Sequence, residues 1–111
     1  MLSAQARLRR SSDIATVLRR GTRQTGEFVV LHLLVQADES TKVAFAVGKN
    51  VGNSVTRHLV TRRLRHLVAQ QLGQFPVGSH VVVRALPASA TASYDQLRTG
   101  LATALAKAVR S

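Results

Sequence analysis

The sequence predicts a small α+β domain in which one β-sheet packs against helices. Its 111 residues have room for one domain, spanning 1–111, because a chain of this length buries one small core. Apolar runs typical of strands alternate with segments of helical spacing, in the order helix, two or more strands, helix, strand, helix. This order is typical of a sandwich of one sheet against helices.

The first half of the chain opens with a short helix. Ser11 or Ser12 can cap it, and Gly21 ends it. Two segments rich in Val, Leu and Phe follow, at 28–35 and 42–47. The polar residues between these segments predict a turn, so we expect the two strands to pair as a hairpin.

The second half contains the strongest helix, one strand and a last helix. Residues 54–72 form the strong helix, which Gly73 ends, and residues 81–85 form the strand. The last helix begins near Ser93 with Asp95 in its first turn. The residues spaced to face the core along this helix are Tyr94, Leu97, Leu101, Leu105 and Ala108.

The charge of the chain indicates a polyanionic partner. Sixteen Lys and Arg against five Asp and Glu give a formal charge of +11, which stores repulsion unless an anion relieves it. No acidic residue lies between Glu39 and Asp95, and arginine dominates the cations. Because the guanidinium pairs with phosphate at two points and stacks on bases, this bias favours RNA.

Other classes of function find little support in the composition. The absence of cysteine excludes disulfides and thiolate metal sites. No apolar run approaches the roughly 20 residues that span a bilayer, and residues 1–10 lack the apolar stretch of a signal peptide, so we expect a cytoplasmic protein without membrane contact. The four histidines and five carboxylates are dispersed, and no pair has catalytic or metal-site spacing.

A helical wheel of the long helix separates an apolar face from a basic one. At about 100° per residue, Val60, Leu64, Leu67 and Val68 fall within one arc that should meet the sheet. A solvated face normally mixes both signs of charge, but the opposite arc has no carboxylate. We name this arc the basic stripe; its members are His58, Leu59, Arg62, Arg63, Arg65 and His66.

The segment before and within the long helix carries a recognisable motif. A lysine near the strand end is followed by Val, Gly and Asn, and then by a helix with spaced arginines. This order resembles the motif of bacterial ribonuclease P proteins, particularly actinobacterial ones. The matching residues are Lys49, Val51, Gly52, Asn53, Arg57, Arg62 and Arg63; further resemblance lies in 7–10, Asp13, 19–21 and 82–87.

The resemblance implies a fold and a function. The fold would be αβββαβα with a left-handed βαβ crossover, similar to the second domain of ribosomal protein S5. The chain would be the protein subunit of ribonuclease P, an endoribonuclease that removes 5′ leaders from precursor tRNA. Its partners would be the ribonuclease P RNA subunit and precursor tRNA, without an obligate protein partner. The RNA would perform the chemistry with Mg²⁺, and the protein itself would hold no cofactor or catalytic residue.

The resemblance also implies two RNA-binding surfaces. The first would dock on the catalytic RNA. The second, a cleft between the first helix and the sheet, would hold the single-stranded leader. The residues expected on the first surface are Lys49, Gly52, Asn53, Arg57, His58, Arg62, Arg63 and Arg65, and those expected in the cleft are Arg10, Ile14, Leu18, Phe28, His32 and Phe45.

Three positions depart from the commoner family pattern. His58 stands where Asn is usual, Leu59 where a second Arg is usual, and Thr61 where Lys is usual. The helix keeps its other arginines, so we expect it to retain RNA binding. The contribution of Leu59 stays open: it either faces an apolar part of the RNA or is compensated by its neighbours.

Three other functions are compatible with parts of the pattern. A ribosomal or other RNA-binding protein of similar fold would share the charge and the basic helix but would need no leader cleft. A DNA-binding regulator would place the long helix in a groove, which the flanking strands disfavour. A protein-only nuclease would need a catalytic site, for which the sequence offers no candidate.

Overall fold

The computed structural model describes residues 2–110. Three α-helices and four β-strands confirm the α+β class. The helices are α1 (Ser11–Arg20), α2 (Ser54–Gln71) and α3 (Tyr94–Arg110), and the strands are β1 (Thr22–Thr25), β2 (Val29–Val35), β3 (Lys42–Ala46) and β4 (Ser79–Ala85). Short 3₁₀ turns lie at Ala4–Ala6, Leu72–Gln74 and Pro87–Ala90.

The four strands form one mixed sheet in the order β1-β2-β4-β3. β2 is antiparallel to both of its neighbours, and β3 is parallel to β4, so α2 is the crossover helix between two parallel strands. The expected hairpin of β2 and β3 is wrong, because β4 lies between them. β4 is buried at six of its seven positions, and a strand buried on both faces is most stable at the centre of a sheet.

One face of the sheet carries the main core. Alternation along the strands brings Leu31 of β2 opposite Val83 of β4, and Leu33 opposite Val81. The buried side chains of α2 and α3 pack on this face. From α2 these are Val60, Leu64, Leu67 and Val68, and from α3 they are Leu97, Leu101, Ala104, Leu105 and Ala108, so the predicted apolar faces of both helices are confirmed.

The other face of the sheet is only partly covered, by α1. A small second cluster forms where Val17 of α1 meets Leu8 and Val82, with Ile14 at its margin. The ten-residue helix buries Val17 fully but leaves Leu18 exposed. The sheet face beside α1 is therefore where the predicted leader cleft would lie.

The start of β4 is tied to the end of β2 through a close backbone approach. Gly78 has φ 80°, and a Cβ there would lie 2.6 Å from the carbonyl oxygen of Asp38. The Asp38 carboxylate in turn accepts from Nε2 of the buried His80 at 2.8 Å and pairs with Lys42 at 3.2 Å. These hydrogen bonds, above all that from His80, lower the pKa of Asp38 to about 2.

Within residues 2–110, none of the helices combines the length and the apolar character that crossing a bilayer requires.

Candidate RNA interface

A compact turn positions the start of α2. The backbone amide of Val51 donates to Gly48 at 3.1 Å, and the buried Val51 side chain joins the main core. A Cβ on Gly52 would lie 3.0 Å from the side chain of Thr56, so a larger residue would displace the first helical turn. Asn53 caps the helix, since its Oδ1 accepts from the amide of Thr56 at 2.9 Å. Gly52 and Asn53 therefore have structural reasons to be present, in addition to their predicted RNA contacts.

The basic stripe of α2 lies on the side of the helix away from the sheet. His58, Arg62 and His66 are exposed, whereas Leu59 and Arg65 are half-buried. Arg57, which falls within the apolar arc of the wheel, is also half-buried, and Lys49 is exposed in the preceding turn. No acidic residue occurs in α2, so its cations lack partners on their own helix.

Arg63 differs from the other arginines of the stripe because it is anchored to the protein. Its Nη1 donates to the carbonyl oxygen of Ala92 at 3.3 Å, which ties α2 to the segment before α3. The guanidinium has further donors, so this hydrogen bond leaves capacity for a phosphate. Arg63 thus links α2 to the segment before α3 and also contributes positive charge to the basic stripe.

The fold brings Arg7 and Arg9 of the N-terminal segment close to the basic stripe of α2. The N-terminal segment runs alongside edge strand β3, where Arg7 bridges to Val43 and the amide of Leu8 donates to the Val43 carbonyl at 2.9 Å. A cavity of about 260 Å³ at this edge is lined by Arg7, Arg9 and Arg65, among others. The cationic surface of α2 therefore continues onto the N-terminal segment, an arrangement that sequence spacing alone could not show.

His32 lies at the centre of the sheet face that α1 covers in part. The residue is only 4% exposed, and within residues 2–110 neither ring nitrogen has a hydrogen-bond partner. Arg23 is its direct cross-strand neighbour, and Arg84 projects from the same face of β4. Burial first, and then the charges of Arg84 and Arg23, lower the pKa of His32 below 6.5. A neutral imidazole with an open donor and acceptor thus lies beside two arginines.

The predicted cleft residues divide between the two faces of the sheet. Ile14 borders the second cluster on the α1 side, Leu18 and Arg10 are exposed on α1 and at its start, and His32 lies on the same face. The assignment of Phe28 to this cleft is wrong, since Phe28 packs against the main core on the other side. Phe45 also packs against the main core, but it lines the cavity at the β3 edge together with Ile14.

The positions of the two phenylalanines have different causes. Phe45 lies opposite Val83 in the β3–β4 pair, and alternation directs both toward the α2 side. Phe28 precedes β2, outside its regular pairing, and lies against α3, where a Cβ on Gly100 would be 3.2 Å from its ring. The sheet face that α1 covers in part also carries Arg23 and Arg84, which sequence reasoning had counted only as charges.

The titratable side chains that the structure describes do not form a cluster suited to a metal ion. No group of three His, Asp or Glu within residues 2–110 could hold a metal ion. Asp38 is engaged with His80 and Lys42, and Asp95 with Arg98. The described surface instead offers unpaired cations along α2 and two exposed arginines, Arg23 and Arg84, on the sheet face beside α1.

Comparison with known proteins identifies the family. A family model described as Ribonuclease P matches residues 2–109. The ribonuclease P protein component of Acidothermus cellulolyticus is 46% identical over 99 residues, covering 87% of this chain and 82% of the relative. The chain belongs to the ribonuclease P protein family. The component from Corynebacterium diphtheriae agrees, with 43% identity and 96% coverage of both chains.

Solved structures of the family share the fold at low sequence identity. A Staphylococcus aureus RNase P protein superposes with a TM-score of 0.87 at 18% identity, over 95% of this chain and 89% of that one. The Thermotoga maritima protein gives 0.81 at 19%, over 91% and 96%. The chain is thus a protein component of the endoribonuclease ribonucleoprotein that processes the 5′ end of tRNA, in which the RNA subunit carries the catalysis.

Proposed function

We propose that the basic stripe of α2, with the arginines of the N-terminal segment beside it, binds the RNA subunit of ribonuclease P. The observation that carries this proposal is a face of α2 with exposed cations and no carboxylate, continuous with Arg7 and Arg9. Arginine forks pair with phosphate at two points, and the start of α2 adds backbone donors. The residues that we propose bind the RNA are Lys49, Gly52, Asn53, Arg57, His58, Arg62, Arg63 and Arg65.

The cleft between α1 and the sheet is the proposed site for the 5′ leader of precursor tRNA. Arg23 and Arg84 would pair with leader phosphates, and both are long, exposed side chains that can move toward an anion. That movement would uncover His32, whose ring nitrogens can donate to and accept from a base edge or a 2′-hydroxyl. Sites for single-stranded RNA usually contain aromatic residues on which the bases stack. On α1, Ile14 and Leu18 would offer an apolar contact surface instead.

The protein would assist the catalytic RNA through charge and position. Two RNAs must approach each other, and cations at their junction reduce the repulsion that Mg²⁺ would otherwise have to screen. The Mg²⁺ of the holoenzyme would be held by RNA, with none bound by this chain. The complex would act in the cytoplasm without an obligate protein partner.

A binding comparison tests the leader site. We expect Arg23→Ala and Arg84→Ala, each in the reconstituted holoenzyme, to weaken binding of precursor tRNA while leaving the binding of mature tRNA, which has no leader, unchanged. Arg98→Ala is the matched control, because Arg98 is an exposed arginine on α3, paired with Asp95, and lies outside the cleft. If the affinities for both tRNAs fell equally, or neither fell, the assignment of the leader to this cleft would be contradicted.

A further inference from the structure

A second surface feature adjoins the basic stripe. A cavity of about 520 Å³ lies between the outer side of α2 and the first residue of α3. It is lined by Arg62, Arg63, His66 and Gln70 from α2 and by Tyr94 from α3, and its walls are predominantly apolar. We call it the α2–α3 cavity. An apolar recess beside a row of cations suits a ligand that is flat and apolar on its faces and anionic at its periphery.

Two aromatic rings form part of the cavity. The ring centroids of His66 and Tyr94 are 6.0 Å apart, and the ring planes are inclined at 51°. The side-chain amide of Gln70 lies 3.2 Å from Nε2 of His66, within hydrogen-bond distance, which restrains the imidazole. Aromatic faces of this kind are the usual platforms for unpaired nucleobases, since every base has a π-face that stacks on them.

The cavity is held in place by hydrogen bonds around Tyr94. The amide of Ser93 donates to Oε1 of Gln96 at 2.8 Å, and the amide of Gln96 donates to Oγ of Ser93 at 3.0 Å. This reciprocal capping box fixes the backbone at the start of α3. The hydrogen bond from Arg63 to Ala92 fastens the same segment to α2. A pre-organised recess loses little entropy when it binds a ligand.

The charges around the cavity exclude cationic ligands. None of its described lining residues is acidic, and Arg62 is exposed at its edge. The Tyr94 hydroxyl oxygen is buried and has no hydrogen-bond partner within residues 2–110, so the phenol offers the cavity its ring rather than its hydroxyl. The recognition chemistry is therefore stacking, with phosphate pairing at the rim.

We propose that the α2–α3 cavity receives one unstacked nucleobase of the catalytic RNA, packed against Tyr94 and His66, with an adjoining phosphate on Arg62. The inference rests on the proposed docking of the basic stripe on that RNA and names the nucleotide bound at its margin. The catalytic RNA is the source of the base, rather than the leader, because the leader cleft lies on the opposite face of the sheet. Contact with a specific base would fix the position of the protein along the RNA. Phosphate contacts alone do not do so, because they are the same at every nucleotide.

Binding and chemical probing of the RNA-subunit transcript test this proposal. The proteins compared are the unsubstituted chain, Tyr94→Phe and Tyr94→Ala. We expect Tyr94→Phe to bind normally, because it keeps the ring. Tyr94→Ala should bind about 5- to 150-fold more weakly, as removal of one base–aromatic stack would do. The salt dependence should be the same for all three, since every phosphate-binding cation is retained. Base-specific reagents should show one unpaired nucleotide protected by the first two proteins and not by Tyr94→Ala.

Two outcomes of these experiments would overturn the proposal. Normal affinity and an unchanged protection pattern with Tyr94→Ala would overturn the proposal, as would a protected base in precursor tRNA probed without the RNA subunit. Because Tyr94→Ala could fail to fold, thermal unfolding is measured alongside, and His66→Leu serves as a second variant on the exposed side of α2, expected to lose the same protection. If the unsubstituted chain did not bind the transcript at all, the proposed binding of the basic stripe to the RNA subunit would be contradicted, rather than the nucleobase contact alone.

Discussion

His32 lies directly opposite Arg23 in the β1–β2 pair, and neither of its ring nitrogens has a hydrogen-bond partner within residues 2–110. A buried polar group without a partner costs stability, so its presence in a small domain points to a use outside the folding of the free chain. In the proposed function, that use is the leader of precursor tRNA. The burial of His32 beside Arg23 also affects the stability of the free protein, which can be measured without RNA.

The first prediction concerns the pH dependence of stability. The lowered pKa of His32 means that, as the pH falls, the unfolded chain takes up a proton at this residue before the folded chain does. The free energy of unfolding should therefore have its full value above pH 6.5 and decrease as the pH falls from 6.5 toward the folded-state pKa. His32→Phe should lessen this decrease, as urea unfolding at a series of pH values would show. An identical pH profile for both proteins would contradict the buried, neutral imidazole.

The second prediction concerns the arginines of the basic stripe. Arg62→Ala and Arg65→Ala should each weaken binding to the RNA subunit and reduce the salt slope of log K by about 0.7 to 0.9 for each phosphate that is no longer neutralised. Arg98→Ala, an exposed arginine of α3, is the control and should leave both quantities unchanged. Filter binding over a range of salt concentrations measures them. If the two stripe variants behaved like the control, the stripe would be a solvated surface.

A third prediction separates two leucines of α2. Leu59 is half-buried among the cations of the stripe, and Leu64 is fully buried in the main core. We expect Leu59→Arg to fold normally and to bind the RNA subunit as well or better, because an added cation there would face phosphate. Leu64→Ala should instead cost roughly 2 to 5 kcal/mol of stability through the cavity it leaves.

Thermal unfolding and RNA binding of both leucine variants check this contrast. A large decrease in the stability of Leu59→Arg would place Leu59 in the core and require the basic face to be rotated about the helix axis. Weaker binding by a normally folded Leu59→Arg would indicate an apolar RNA surface at that point.

The fourth prediction concerns Asp38, which links the end of β2 to β3 and β4 through Lys42 and His80. Its folded-state pKa of about 2 lies below the ordinary value of 3.8, so the stabilisation is present above pH 3.8 and is lost as the pH falls toward 2. Asp38→Asn should be less stable at neutral pH and should lose less stability on acidification. Glu39→Gln, at the exposed neighbouring position, is the matched control and should behave like the unsubstituted chain. A shared acid profile for Asp38→Asn and the control would contradict the ion pair.

Local patterns predicted the helices well, and tertiary pairing explains what they missed. Periodic apolar positions and helix-ending residues located both ends of α1 and α2, and the start of α3, to within about two residues of the bounds observed. The predicted cap at Ser11 or Ser12 is wrong, because Arg10 occupies the N-cap position of α1 and makes no side-chain cap hydrogen bond. The neighbours of β2 could not be derived in this way, because β4 enters between β2 and β3 from a distant part of the chain. β1, with only four residues and no apolar run, carried almost no strand signal.

In the candidate site, too, features within one element could be predicted, whereas features that depend on strand pairing could not. Helical periodicity identified the basic stripe, because its residues share one element. The cleft depends on which strand residues face α1, and this follows from the register of β1, β2 and β4, which no local pattern specifies. Arg23 and Arg84 were therefore not recognised beside His32. Helical spacing correctly predicted that Tyr94 packs against the core, but it did not show that the same ring also borders the basic stripe.

Reconstituted cleavage tests the central claim most directly, namely that this chain assists a catalytic RNA and supplies no catalytic site. Precursor tRNA is incubated at a low Mg²⁺ concentration with the protein alone, with the cognate RNA subunit alone, and with both. The account predicts cleavage at the leader junction only when both are present, with the RNA alone becoming active as Mg²⁺ is raised. Cleavage by the purified protein without RNA, or no effect of the protein on the Mg²⁺ requirement, would contradict it.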